Sequence, residues 1–494
     1  MLEGPLGGGK GSWLVTARKS YVQYIIDRTA NDPTIGFAFA DAQGRVQYDL
    51  AKAWNASLSV MHGTSGLDRT RAENVLGINA LFKSDYDFTL TTLALRYAPG
   101  SRLLATNRIS LLRERYVNAN REARRLGSSG YGEWAWNGDA AWQQSNGAAL
   151  QFGGIARRLR DDGNVLRLGT GGAFTAIDAF RGTGMRSGVY AQQSWNPWRG
   201  RIRLTAGGSA GRHSVSGASA ATPYASLGLQ PASGTSVTFS WGQYAQFAEL
   251  AQFFSLHGSR RLAPERATHV EAAVEQRLGE RTRLRFQLYN RQDRDLIFRP
   301  LLDFRILNGR VQGGNLFAPF ANSQRGYARG WQTFVQRRTA NGFTGWIGYA
   351  CGVSRVRDGV LRMSYPADFD QKHTVNVFGS YRLRPSVNLS VKWLYGSGFP
   401  LRGFFTQVQN DYFLATERNR LRIPPYQRSD FRVNKAFIRD KWQLTLFAEV
   451  INFTNRGNVR FDDINSIDGR TGRVRLRFDK MFPILPSAGI VVEF

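Results

Sequence analysis

The sequence predicts an all-β fold, a large closed antiparallel transmembrane β-barrel, and three observations carry that reading. Apolar and polar residues alternate with a period of two along most of the chain. Short turns and longer polar loops take turns in separating the alternating segments. No apolar run approaches the roughly 18 residues of a membrane-spanning helix.

The alternation is clearest from Val387 to Tyr395, where Val387, Leu389, Val391, Trp393 and Tyr395 share one face against Asn388, Ser390 and Lys392. The preceding segment sets Val375, Val377, Gly379 and Tyr381 against Thr374, Asn376 and Ser380, and Arg384-Pro385-Ser386 turns one into the other. Val270, Ala272 and Val274 alternate with Glu271 and Glu275, and Leu284, Phe286 and Leu288 with Arg283, Arg285 and Gln287. Leu444, Leu446, Ala448 and Val450 alternate with Gln443, Thr445 and Glu449. A soluble sandwich also alternates, but regular Glu, Arg and Lys on the polar face fit a water-filled lumen better.

Short turns are expected near Ala51-Lys52, Pro99-Gly100, Asn146-Gly147, Pro197 to Gly200, Pro231 to Gly234, Gly279-Glu280, Asn341-Gly342, Arg384 to Ser386 and Arg439-Asp440. They mark one rim, the periplasmic one, and with a first and a last strand they give about 20 strands. A further weak hairpin is expected between Arg157 and Met185. Asn118 to Gly130, Ala245 to Arg266 and Arg299 to Arg325 read as long extracellular loops. Trp134, Trp136, Trp195, Trp198 and Tyr395 are placed at strand ends, as interfacial girdles.

Composition narrows the function. Mean hydropathy is negative, as expected when only alternate residues face lipid. The net charge of +29 comes from arginines and lysines spread along the whole chain. Without a recognition motif this speaks against nucleic acid and for polar walls and anionic lipid headgroups. Cys351 is the single cysteine, which excludes an intramolecular disulfide, and the five histidines show no metal-ligand spacing. No spaced Ser/His/Asp set stands out, so neither enzymatic activity nor a cofactor or metal is expected.

The chain ends on Ser487, Gly489, Val492 and Phe494, a polar, small, apolar and aromatic series on a last strand. It resembles the C-terminal signal read by the outer-membrane barrel-assembly machinery. Longer segments resemble the barrel of TonB-dependent receptors and transporters. These are Leu262-Ala263-Pro264-Glu265 entering a strand, Phe369-Asp370-Gln371-Lys372-His373, Tyr395-Gly396-Ser397-Gly398-Phe399-Pro400, and the strand from Leu446 to Asn455. Arg329-Gly330-Trp331-Gln332 matches only in part, with Arg329 where a small residue is usual.

The resemblance implies about 22 strands, the bacterial outer membrane, and energy-coupled uptake of a scarce small-molecule nutrient such as a siderophore, cobalamin or oligosaccharide. The alternative is a passive porin-like channel. Residues 1–10 are read as a periplasmic lead-in and 11–494 as the barrel. The chain is expected to be the family's barrel without its signal peptide, TonB-contacting box and plug domain, as a truncated sequence, a fragment or a separated barrel domain would all look, so contact with the TonB complex is expected only through a missing plug. The other expected partners are outer-membrane lipid and lipopolysaccharide, and the chain is expected to be a monomer. Loop residues Phe253, Phe254, Phe399, Phe404 and Phe405 are candidate ligand contacts as an aromatic lid, and Arg260, Arg261, Arg310 and Arg325 as anion attractors.

Overall fold

A computed structural model describes residues 1–20, 24, 28, 36–69, 78–169, 172–440 and 442–493. Phe494, the last residue of the expected assembly signal, lies outside them. The chain divides into two compact units. One comprises Met1–Ser226, Gly242–Arg266 and Phe317–Asn322; the other comprises Leu227–Trp241, Ala267–Leu316 and Ser323–Phe494.

In the first unit the strands are β1 (Leu2–Leu6), β2 (Gly11–Lys19), β3 (Gly36–Ala51), β4 (Trp54–Asp68), β5 (Lys83–Tyr97), β6 (Leu103–Ala119), β7 (Arg125–Ser145), β8 (Ala148–Leu168), β9 (Phe174–Trp195) and β10 (Ile202–His213). Each pairs antiparallel with the next. Then come β11 (Ser219–Ala232), β12 (Thr235–Gln246) and a single turn of helix, α1 (Leu250–Phe254). The second unit continues with β13 (Glu265–Leu278), β14 (Thr282–Phe298), β15 (Arg305–Leu307), β16 (Arg310–Gln312), β17 (Ala321–Ala340), β18 (Phe343–Asp358), β19 (Met363–Pro366), β20 (His373–Arg384) and β21 (Val387–Gly396). It ends with β22 (Phe405–Val408), β23 (Asp411–Leu414), β24 (Tyr426–Ile438), β25 (Gln443–Ile451), β26 (Val459–Ile467), β27 (Arg473–Lys480) and β28 (Leu485–Glu493).

One antiparallel sheet takes 22 of these strands, β15 and β16 form a hairpin, and β22, β23, β27 and β26 form a separate four-stranded sheet. The nine expected turns all connect paired or consecutive strands where the sequence puts them. At Asn341-Gly342 both residues have positive φ, 52° and 79°. A two-residue type I′ turn requires this of its central pair, and asparagine and glycine tolerate it best.

The expected facing holds. Leu446 is paired with Ile490 and Leu444 with Val492 on one face of β25–β28, and Leu446, Ile490 and Val492 are exposed. Glu449 lies on the other face, within 3.7 Å of Arg432. In the first unit, Leu93, Ile109, Leu111, Trp134, Phe152 and Val189 likewise stand exposed on one face. The opposite face carries polar contacts such as Tyr131–Glu133, Tyr190–Asp139 and Gln192–Gln151. An apolar face left unpacked beside a hydrogen-bonded polar face is the arrangement of a sheet whose outer solvent is lipid.

Three expectations need correction. Among the described residues no extra hairpin lies between Arg157 and Met185: residues up to Leu168 belong to β8 and those from Phe174 to β9, which run 21 and 22 residues. The segment Asn118 to Gly130 is mostly β6 and β7, leaving only Asn120–Arg124 as a loop. A membrane crossing uses about 9–11 residues, so these long strands continue past the bilayer as paired sheet. For the same reason Trp134 and Trp136 fall in the middle of β7 and not at its end.

Candidate functional site, a stapled loop layer

In the second unit four long loops fold together. They follow β14, β18, β21 and β25, and carry β15–β16, β19, β22–β23 and β26–β27 respectively. The loops after β14, β21 and β25 share a core of Leu401, Phe405, Leu414 and Val474, with Ile306, Val311, Tyr412 and Leu421 packed against it. Burial of such side chains stabilises by about 1.5–3 kcal/mol each. This is why β25 pairs with β28 directly: β26 and β27 leave the main ladder for the loop sheet.

Two arginines staple the layer. Arg418, fully buried, donates from Nε to Asp303 Oδ2 at 3.1 Å and from Nη1 to Asp368 Oδ1 at 2.5 Å. Its guanidinium also lies 5.1 Å from the ring centres of both Phe298 and Tyr365. Asn419, at φ 60°, donates to Pro366 O at 2.8 Å and Asp368 Oδ1 at 2.6 Å, and its Oδ1 accepts from Gly403 N. Arg422 pairs with Asp370 and donates to Gly398 O at 2.9 Å, while Asp370 Oδ1 accepts from Ser354 N on β18. Burial works against charge on Asp368, but the Arg418 hydrogen bonds and charge, Asn419 and Arg402 outweigh it and hold its carboxyl below the usual range. A planar fork between aromatic faces suits arginine and not lysine.

Beside the staple is a cleft of 360 Å³ lined by Tyr365, Pro366, Asp370, Lys372, Glu417, Arg418, Arg420 and Arg422, among others. Arg355 also lines it. Two of its five cations are consumed by the staple. Arg420 is exposed and only 3.6 Å from an exposed Glu417, a pairing worth little in water. Arg355 and Lys372 are exposed and make no ion pair among the described residues. The cleft is therefore electropositive.

The sequence-expected contacts divide by burial. Phe404 and Phe405 are buried in the loop layer, Phe405 in its core, whereas Phe399 is exposed. In the first unit Phe253 is buried against His213, ring centres 5.0 Å apart. Phe254 is half-buried under Arg260 at 5.1 Å, and Arg260 and Arg261 are exposed. Arg310 begins the strand β16, and Arg325 stands opposite Arg357 on β17–β18. Sequence reasoning missed Arg418, Asn419, Arg422, Asp303 and Asp368. A signal was present: Asp368 and Asp370 share a two-residue spacing with Arg418, Arg420 and Arg422.

A family model described as TonB dependent receptor-like, beta-barrel, matches residues 7–453. No curated protein matches the sequence. Among solved structures, the ferric-catecholate import receptor Fiu from E. coli K12 superposes with a TM-score of 0.70 at 10% identity, covering 100% of this chain and 79% of that one. A mutant of the ferric enterobactin receptor PfeA from Pseudomonas aeruginosa gives 0.72 at 12% identity, over 99% and 76% of the two chains. The FrpB iron transporter from Neisseria meningitidis gives 0.64 at 12% identity, over 92% and 72%.

Proposed function

Since the chain belongs to the TonB-dependent receptor-like β-barrel family, we propose that it forms the barrel of a receptor taking up an anionic metal chelate, with energy delivered through TonB. Receptors of this family are transport proteins of the bacterial outer membrane and catalyse no reaction. The observation that carries the cargo class is the electropositive cleft of the loop layer, where Lys372 and Arg420 are exposed and weakly paired or unpaired. Similar structures named for ferric-catecholate import, ferric enterobactin and iron transport support the same class. Phe399 on the loop layer, and Arg260 and Arg261 on the loop after α1, are proposed as further contacts, while the buried Phe253, Phe404 and Phe405 hold their loops in shape. Ser487, Gly489, Val492 and Phe494 are proposed as the assembly signal.

The test is radiolabelled iron uptake by cells lacking their own catecholate receptors and expressing the natural protein at its full length. Saturable ferric-catecholate uptake that needs TonB is expected. It should fall by about tenfold or more when Lys372 and Arg420 are both replaced by glutamate, a change worth about 1.4 kcal/mol per factor of ten. Uptake of equal rate in cells without TonB would establish the passive porin-like channel instead. TonB-dependent uptake of a neutral ligand, unaffected by the two substitutions, would overturn the anionic cargo.

A further inference from the structure

A second basic site lies on the apolar face of the first unit, away from the loop layer. The register of β5 to β9 stacks outward-facing residues in rows. One row runs Thr91, Leu111, Trp134, Arg158, Met185. The next runs Thr89, Arg113, Gly132, Arg160, Thr183, and the one beyond it Asp87, Arg115, Gly130, Asp162, Arg181. Two glycines of β7 thus separate arginines of β6 from Arg160 and Asp162 of β8. The result is a groove of 1150 Å³ floored by backbone and flanked by guanidinium groups.

The face is fixed by its neighbours. Leu111, Trp134 and Met185 of the first row are exposed, while Tyr131, Glu133 and Arg157 engage one another on the opposite side. Among the described residues none of Arg113, Arg115, Arg158, Arg160 and Arg181 has a carboxylate within salt-bridge distance. With Asp87 and Asp162 counted, the face keeps an excess of three positive charges over these rows. Arg113 and Arg160 stand two strands apart, about 10 Å at the usual inter-strand spacing. One phosphate placed between them can accept from both.

Depth points to a lipid. Tryptophan sits at the headgroup level of a bilayer, and the Arg160 row lies two residues, about 7 Å, beyond the Trp134 row. It lies on the side away from the turns at 98–102 and 146–147. On the other side of the tryptophans, the Trp136 ring lies over the paired Gly138 and Gly154, and beside it an apolar hollow of 980 Å³ opens between Trp136, Phe152 and Val189. Headgroup-level arginines above an acyl-sized hollow match one amphiphile.

We propose that β6 to β9 carry a specific site for a membrane glycolipid with two phosphates on its headgroup, of the lipopolysaccharide type. The phosphates lie between Arg113, Arg115, Arg158 and Arg160, and an acyl chain lies in the hollow between Trp136, Phe152 and Val189. Charge selects this occupant. A phosphate monoester carries about −1.5 to −2 at neutral pH, so two of them match an excess of three, which a singly charged phospholipid does not. Arginine forks bind such groups bidentately.

The inference rests on the outer-membrane placement and not on the cargo, so it is tested without any transported ligand. The full chain in phosphatidylcholine nanodiscs is titrated with bisphosphorylated lipid A, with its dephosphorylated form, and with phosphatidylglycerol as competitor. Bound lipid is counted by native mass spectrometry. Bisphosphorylated lipid should bind at least about tenfold more tightly than the dephosphorylated form. The preference should vanish in Arg113→Gln/Arg160→Gln. It should also vanish in Gly132→Trp, which fills the groove; a Cβ there meets nothing within 4 Å, so folding, checked by heat-modifiable mobility, should persist. Equal binding of the dephosphorylated lipid, equal competition by phosphatidylglycerol, or folded variants that bind like the parent would each overturn the proposal.

Discussion

Replacing Arg418 by alanine should open the loop layer while leaving the main sheet intact. The side chain is 1% exposed and joins Asp303 and Asp368 through one guanidinium. Removing one partner of a buried pair costs about 3–5 kcal/mol because the other charge is left uncompensated. Here the side chains of Asp368 and Asp303 keep 23% and 27% exposure, and Arg402 remains 3.3 Å from Asp368. The lower end, about 3 kcal/mol, therefore applies, and at about 1.4 kcal/mol per factor of ten the opening equilibrium rises roughly a hundredfold. Hydrogen exchange reads this directly. The amides of Leu401, Ala415 and Asn419, bonded to Leu421, Phe404 and Gly403, should lose about two orders of magnitude of protection. Amides of the β20–β21 ladder, such as that pairing Val377 with Trp393, should not change. Arg418→Lys should recover little, since the fork and the two ring contacts are lost. Unchanged protection in the loop layer, or loss spread evenly through β20 and β21, would refute the stapling argument.

Acid should act on the same layer: the Asp368 carboxyl is held below its ordinary 3.8, so its contribution is full above that value and is lost as pH falls through the depressed one. Protection of the Leu401 and Asn419 amides should therefore decline below about pH 4, and more weakly in Asp368→Asn. Phe405→Ala, at a site 2% exposed, should cost the layer about 3–5 kcal/mol, measured by the same exchange. Leu446→Arg on the apolar face should cost about 2–4 kcal/mol in a urea refolding titration into lipid, while Glu449→Gln should cost far less; equal losses would reverse the facing. Deleting Phe494 should lower the yield of heat-modifiable barrel in the outer membrane without lowering synthesis, as immunoblots of membrane and total fractions would show.

Much of the main sheet was legible in the sequence because its information is local. A strand with lipid on one face must alternate, and a two-residue turn must tolerate positive φ, so Val387–Tyr395 and Asn341-Gly342 declare themselves. The C-terminal resemblance likewise rested on contiguous segments. The strand count came out two short because β1 and β19 are only five and four residues long, too short for alternation to register. The long reach of β7 to β9 was misread as a loop and a hidden hairpin because polar paired strand beyond the bilayer has no apolar face.

The sequence by itself determined the period, the turns and which residues share a face, since these depend on neighbours one to four positions apart. Only the tertiary structure decided the rest. Arg418 meets Asp368 across 50 residues and Asp303 across 115, and nothing in a charge's spacing along the chain says which loop will come to it. The arginine groove depends on inter-strand register as well. Gly132 lies between Arg113 and Arg160 only because β6, β7 and β8 pair as they do, and a slip of one residue would turn one strand's side chains to the opposite face.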